Sequence, residues 1–221
     1  MARAPRYKFS PSYRDAVLAT NPVGYWRLGE AAGTVARDVM GLLHGTYVGG
    51  PTLGVAGLLA GDSDTAVTLD GATQGITFAL PALSTYSIGL WCNPTGNANV
   101  YDRLFCNPGG GRVDMGRASQ GELSYHNGTA WVMLGDVGTL PTGARAFVVF
   151  SFDGTLTKCH VNATGIYSAA GGQTLLAGTA TWGAYEGAVS SFLGLLDDPA
   201  IWDRALTPDE IATLYRIGMG R

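Results

Sequence analysis

Any chemistry in this chain has to come from a short list of side chains. Glutamates number only four: Glu30, Glu122, Glu186 and Glu210. Hydrolysis of a glycosidic bond uses two carboxylates that face each other across the bond. On a strand such a pair shows as acids two residues apart, because alternate side chains share a face. None of the four has an acid at that spacing, and Glu210 is better placed to cap a helix. Asp62 and Asp64 are two apart, but within 61-GDSD-64, where a turn role is expected. His44, His126 and His160 are scattered, and no nucleophile elbow accompanies them, so acyl-transfer chemistry has no support. Gly109-Gly110-Gly111 has no helix pattern behind it and reads as a turn rather than an anion cradle. Cys92, Cys106 and Cys159 lack metal-ligand spacing and read as buried thiols, made in a reducing cytoplasm. No enzymatic activity is expected. Tyr101, Tyr125, Trp131, Trp182 and Tyr185 are suited equally to stacking on sugar rings and to packing a β-rich core.

The elements that would position these residues are mostly strands. Thirty-three glycines indicate many tight turns, and 46% hydrophobic against 14% charged residues is enough for one large core. The segment 146-AFVVFSFDGTLTKCHVNATG-165 predicts a hairpin about Asp153-Gly154, with Thr157, Cys159 and Val161 on one face and Lys158 and His160 on the other. Residues 66–80 read as two strands about the Asp70-Gly71 turn. Residues 86–97, 103–106, 111–116, 122–126 and 131–134 read as further strands, and 168–191 as a Gly/Ala/Thr-rich connection. In 22-PVGYWRL-28, Tyr25 and Arg27 alternate with Trp26 and Leu28, the pattern of a half-buried strand. The last element is a short helix. Thr207 is its N-cap, Pro208 its first residue, and Glu210 completes a capping box. Ile211, Leu214 and Tyr215 make one apolar stripe, and Gly218 suits the position past the end. Pro199, which cannot donate to a ladder, places a bulge or an edge within 194-GLLDDPAIW-202.

Residues 1–21 read as an N-terminal arm and 22–221 as a single domain. Residues 1–14 hold four of the 14 basic residues and none of the 17 acids, so a basic arm precedes an acidic body. Arg3, Arg6, Tyr7, Lys8, Phe9, Tyr13 and Arg14 are the expected docking residues, and Tyr13–Ala19 is expected to make a helical turn or two. The first twenty residues lack the apolar core of a signal peptide, and no stretch has the length of a membrane span.

Five of these segments, in order, resemble the laminin-G-like, concanavalin A-like jelly-roll family over about residues 22–218. They are 25-YWRLGE-30 with Asp38 and 44-HG-45, 66-AVTLDG-71, 87-SIGLW-91, the hairpin at 146–165, and the signature 194-GLLDDPAIWDRAL-206. The resemblance implies an all-β fold: a two-sheet antiparallel jelly-roll sandwich with one short C-terminal helix and an N-terminal arm. It also brings a candidate Ca²⁺ site, since Glu30, Asp38 and Asp198 occupy acidic positions of the family pattern and hard oxygen ligands suit that ion. The competing reading is structural, with Asp197 or Asp198 bonded to backbone or paired with Arg204. The opening 13-YRDAVLATNPVGYWRLGE-30 is similar to modules of bacteriophage and bacterial surface proteins. The expectation is therefore a non-enzymatic structural protein of a phage particle, a capsid decoration or minor tail protein. Its partner would be a capsid or tail protein of the same virion, with a cell-surface glycan as a further ligand. Neither nucleic acid nor membrane is expected, and copies would be multimeric within the assembly. The alternatives are a free-standing carbohydrate-binding module and a glycan-active enzyme.

Overall fold

The computed structural model describes residues 11–98, 101–109, 113–118, 121–134, 140–186 and 190–221. The chain makes α1 (Tyr13–Ala19), β1 (Gly24–Tyr25), β2 (Val35–Ala36), β3 (Gly45–Val48), β4 (Thr52–Ala56), β5 (Thr65–Asp70), β6 (Gly75–Leu80) and β7 (Tyr86–Pro94). There follow β8 (Tyr101–Asn107), β9 (Val113–Ala118), β10 (Leu123–Asn127), β11 (Trp131–Met133), β12 (Ala146–Phe152) and β13 (Leu156–Val161). Last come β14 (Thr164–Ala170), β15 (Gly178–Trp182), β16 (Leu193–Trp202) and α2 (Pro208–Gly218).

Two antiparallel sheets result. The first runs β14–β13–β12–β7–β16–β5–β4 with β1 also on β16, and the second runs β11–β10–β9–β8–β15–β6–β3–β2. Apolar side chains of both sheets meet in one core that includes Trp26, Phe78, Phe105, Leu196 and Trp182. Trp182 packs edge-on to Trp26 at 5.7 Å and to Phe105 at 5.1 Å, an arrangement that suits the ring quadrupoles. This is the expected jelly roll. The hairpin β12–β13 turns at Asp153-Gly154 as expected, with the Asp153 carboxylate accepting from the N–H groups of Thr155 and Leu156. All three cysteines are buried free thiols.

Strands β5 and β6 do not form the expected hairpin. β5 pairs with β4 and β16 in the first sheet, β6 with β3 and β15 in the second. The turn between them is a corner from sheet to sheet. Asp70 builds it by accepting from Ala72 N and Thr73 N, and Gly71 supplies a φ of 77°. A turn signal specifies a reversal of the chain but not which sheet receives the next strand. The expected connection at 168–191 also contains a strand, β15, whose Ala180 and Trp182 are buried in the core.

A second apolar layer lies on the outer face of the first sheet, where α1 and α2 cover Trp91, Phe147, Val149 and Trp202. Trp91 stacks on Phe147 at 5.2 Å and on Tyr215 at 5.9 Å. The capping box of α2 is present as expected: Thr207 Oγ1 accepts from Glu210 N, and the Glu210 carboxylate accepts from Thr207 N. Gly218 is the last helical residue rather than the one beyond it, and a Cβ there would collide with the Trp91 ring. Gly220, with φ of 73°, takes the left-handed position instead.

The boundary expected at residue 21 falls inside this layer. Ser12 caps α1, and Tyr13, Ala16 and Val17 are buried, Val17 completely. Trp202 Nε1 donates to Thr20 Oγ1 at 2.8 Å, and Arg204 donates to the Thr20 carbonyl. Tyr13, expected to dock a partner, is therefore a core residue of its own chain, while Arg14 is solvent-exposed. Arg3, Arg6, Tyr7, Lys8 and Phe9 lie outside the described residues. Truncating Val17→Ala should cost about 2 kcal/mol in urea unfolding, since it empties a site beneath a packed helix. No change would mean that α1 is not part of the cooperative unit.

Candidate functional site

The signature carboxylates Asp197 and Asp198 sit at a bulge in β16, a strand paired on both sides. Register with β7 slips between Asp197 and Ala200, and Asp198 has a φ of 48°. Pro199, with no N–H for the ladder, gives the bulge its cause. Both side chains are buried. Asp197 Oδ2 accepts from Leu58 N at 2.6 Å. Asp198 Oδ1 accepts from the Tyr25 hydroxyl and lies 3.5 Å from Arg27 Nε. Asp197 Oδ1 and Asp198 Oδ2 have no donor as long as both groups are ionised. Protonation of either carboxyl supplies that donor, and burial favours the protonated form of both. Burial, then the neighbouring charge, pushes Asp197 up to about 9, and burial pushes Asp198 up to about 7 against the pull of Arg27. Burial and the nearby Asp198 likewise push the Tyr13 and Tyr25 phenols far up, so both keep their protons.

Arg27 completes this knot. Its Nη2 is 2.7 Å from Asp62 and its Nε 2.9 Å from Asp64, so that loop pair binds a cation as well as shaping a turn. Arg27 was expected on an open strand face, but its strand ends at Tyr25 and the guanidinium is turned inward. Of the two structural alternatives the backbone bond holds, at Asp197, while Arg204 pairs instead with Glu210 at 2.6 and 2.9 Å.

The Ca²⁺ candidates do not converge. Both oxygens of Asp38 accept from backbone, Oδ1 from Tyr25 N and Met40 N and Oδ2 from Leu42 N and Leu43 N, at 2.8 to 3.0 Å. Glu30 accepts from Arg37 N and from the Tyr47 hydroxyl. Asp198 already faces a guanidinium. Among the described residues, no group of three or more His, Cys, Asp or Glu could hold a metal ion. These carboxylates are structural, and they organise the loops that enter the sandwich.

A different arrangement lies on the outward face of the second sheet. Strand register sets Thr46, Thr77, Thr181, Cys106, Asp114, His126 and Trp131 in one row across it. Arg103, on the same face, is sandwiched: its guanidinium carbon is 4.7 Å from the Trp131 ring centre and 5.5 Å from that of Tyr185. Arg103 Nε is 3.4 Å from Asp114, and His126 meets Trp131 edge-on at 5.5 Å. Gly116 makes room, because a Cβ there would reach the Asp102 carbonyl at 2.9 Å beneath the arginine and tryptophan. Arg103 and Asp114 are buried, while Trp131 and Tyr185 are half-exposed. The result is a rigid platform of two partly wet aromatic rings with a charge pair between them.

The structure thereby ranks the candidate aromatics. Trp182 and Tyr125 are core residues, and Trp131 and Tyr185 belong to the platform. The side chain of Tyr101 lies outside the described set. Arg103 and Asp114 escaped sequence reading. Their one signal is a pair of charged residues inside each of two otherwise strand-like segments, Asp102 and Arg103 in 101-YDRLFCN-107 and Asp114 and Arg117 in 113-VDMGRA-118.

Comparison with known proteins agrees with the sandwich. The family model described as "Concanavalin A-like lectin/glucanases superfamily" matches residues 62–212. No curated protein sequence matches the chain. Domain 4 of a GH43 extracellular arabinanase from Geobacillus stearothermophilus, solved in complex with arabinotriose, is 22% identical with a TM-score of 0.56, over 86% of this chain and 84% of that one. A sialidase from Trypanosoma rangeli is 14% identical with a TM-score of 0.66, over 89% of this chain but 32% of its own. A heptameric SAP-like pentraxin from Limulus polyphemus is 18% identical with a TM-score of 0.53, over 67% and 80%. At these identities the likeness is one of fold.

The raised carboxyls make stability pH-dependent. Both carboxyls have folded-state values above the unfolded one, so the folded chain binds more protons above about pH 4 and loses that advantage as pH rises through 7 and 9. Urea unfolding should show stability falling by several kcal/mol between pH 5 and 9.5. Asp197→Asn, whose amide replaces the protonated carboxyl as donor, should match wild type at pH 5 and exceed it at pH 9.5. An equal slope in both proteins would show that Asp197 does not titrate in this range.

Proposed function

The chain belongs to the concanavalin A-like lectin/glucanase superfamily, and on that premise we propose that it is a glycan-binding module without hydrolytic activity. The observation that carries this reading is the Trp131–Arg103–Tyr185 platform. Sugar rings present an apolar C–H face that stacks on indole and phenol rings, and hydroxyls that bond to neighbouring charged groups. Trp131 and Tyr185 offer their solvent-facing sides, half-buried His126 lies beside them, and the buried Arg103–Asp114 pair holds the rings in place. The platform comes prearranged, which lowers the entropy lost on binding.

Support for a non-catalytic role comes from the same face. A glycosidase sets two carboxylates across the scissile bond. In the described row the carboxylate is Asp114, and it is paired with Arg103. The arabinanase domain solved with arabinotriose makes short arabinose oligomers the first ligands to test.

We further read the module as a component of a bacteriophage particle, held there by protein contacts of its first residues. The support is the resemblance of residues 13–30 to modules of bacteriophage and bacterial surface proteins and the cationic, aromatic character of Arg3, Arg6, Tyr7, Lys8 and Phe9. Capsid or tail protein would be the partner, and glycans on the host surface the ligand.

Isothermal titration with arabino- and galacto-oligosaccharides tests the binding reading. The wild-type chain should bind in the micromolar to millimolar range, and Trp131→Ala should weaken binding about tenfold or more, the worth of one stacked ring. Urea unfolding of the same variant should show a loss of about 1 kcal/mol, because the ring also covers the buried Arg103, so binding is compared under conditions where both chains are folded. Binding that is unaffected by Trp131→Ala and by Tyr185→Ala would place the site elsewhere. Sugar release from the same oligomers would overturn the non-catalytic reading.

A further inference from the structure

The turn between β10 and β11 holds the one Asn-Gly step of the sequence, Asn127-Gly128. The fold itself calls for this pair. Gly128 has a φ of 92°, which residues with a side chain rarely adopt, and Asn127 closes the turn by donating its N–H to the Ala130 carbonyl at 3.1 Å. The Asn127 side chain is held as well. Its Oδ1 accepts from Thr129 N at 3.1 Å and from Ala130 N at 2.9 Å. The Gly128 amide donates to Nδ1 of His126 at 3.2 Å, so that ring nitrogen carries no proton. The imidazole is steadied by Trp131, which it meets edge-on at 5.5 Å.

These contacts set around one carboxamide what its own breakdown needs. The donors on Oδ1 lie at distances that suit a developing oxyanion. His126 is within reach of the proton that Gly128 N must lose. The N–H lies in the peptide plane while attack uses the nitrogen lone pair perpendicular to it, so the base does not block the path. We propose that Asn127 is a site of self-catalysed deamidation, with His126 as the base. Gly128 N bonds to Asn127 Cγ as its proton passes to His126 Nδ1, and the oxyanion on Oδ1 is held by Thr129 N and Ala130 N. His126 then gives the proton to the carboxamide nitrogen, the C–N bond breaks, and ammonia leaves behind a succinimide. Water opens that ring at either carbonyl, giving an aspartyl or isoaspartyl residue at position 127. Thr129 and Ala130 are exposed, so water has access. Asn162 makes the contrast: its Oδ1 accepts from Phe147 N, a distant part of the chain, and Ala163 follows it. The product places a carboxylate beside His126 and Trp131, and the isoaspartyl form adds one backbone carbon to the hairpin that carries Trp131. The reaction itself does not rest on the glycan reading.

The test incubates the folded full-length chain at neutral pH beside a free peptide of residues 123–132, and follows the exchange of NH2 for OH at position 127 by peptide mapping with mass detection. Asn127 in the folded chain should convert about tenfold faster than in the peptide, the contribution of a placed base and oxyanion donors, while Asn162 stays intact. Unfolding the chain in urea should bring Asn127 down to the peptide rate. His126→Gln should slow the folded chain about tenfold. Loss of fold would have the same effect, so the urea midpoint of this variant is read alongside. In His126→Ala, added imidazole should restore the rate, which a merely structural role of the ring would not allow. A folded chain that converts no faster than the peptide would overturn the proposal, as would an unchanged rate in His126→Gln. Failure of sugar binding would leave these rates untouched, so the two readings fall separately.

Discussion

The structure hangs on a pair of neighbouring carboxyl groups held out of water. Asp197 and Asp198 interrupt β16, the strand on which β1, β5 and β7 all pair. Two ionised carboxylates at this depth would repel each other and each would lack solvation. The interior meets this by favouring their protonated forms and by bringing Leu58 N, the Tyr25 hydroxyl and Arg27 from segments more than a hundred residues away in sequence. The bulge thus serves as a lock. The loop before β5, the first strand and the last strand reach their positions together because the same charges require all three.

From this lock outward, the two faces of the molecule divide their roles. The outer face of the first sheet is covered by helices, and its aromatic residues pack against one another. On the second sheet no helix among the described residues lies over the outer face, and its aromatics hold an arginine between them. Asp38 shows the same economy at a loop. A single carboxylate collects four backbone N–H groups and fixes residues 38–43 without metal, where a family-wide pattern had suggested an ion.

What could be read in the sequence was chemistry that acts over a few residues. The Thr207–Glu210 capping box, the Asp153-Gly154 hairpin and the inward set Thr157 and Cys159 all depend on near neighbours, and all were legible. The bulge at Pro199 was legible because proline lacks a donor. Partner choice was not. Nothing near Asp198 names Arg27, and nothing in the turn at Asp70 says that β6 joins the other sheet. Helix α1 has its stripe, Tyr13, Ala16 and Val17, but it follows a basic run that draws attention to charge instead of to packing. The platform was half visible. Trp131 and Tyr185 stood among the candidate aromatics, but only strand register brings Arg103 and Asp114 to them.

The position of β16 also governs how the sheet can be assembled. β5 and β7 are made early and flank a place that stays vacant until a strand more than a hundred residues later arrives between them. While that strand is absent, both neighbours present bare hydrogen-bonding edges, the kind that recruit strands from other chains. Contacts this distant in sequence also slow the search for the native state. During synthesis the nascent sandwich is therefore an open sheet for most of its length. The step that closes it, insertion of β16 with its two acids, waits for that strand, and until then the chain is at its greatest risk of mispairing.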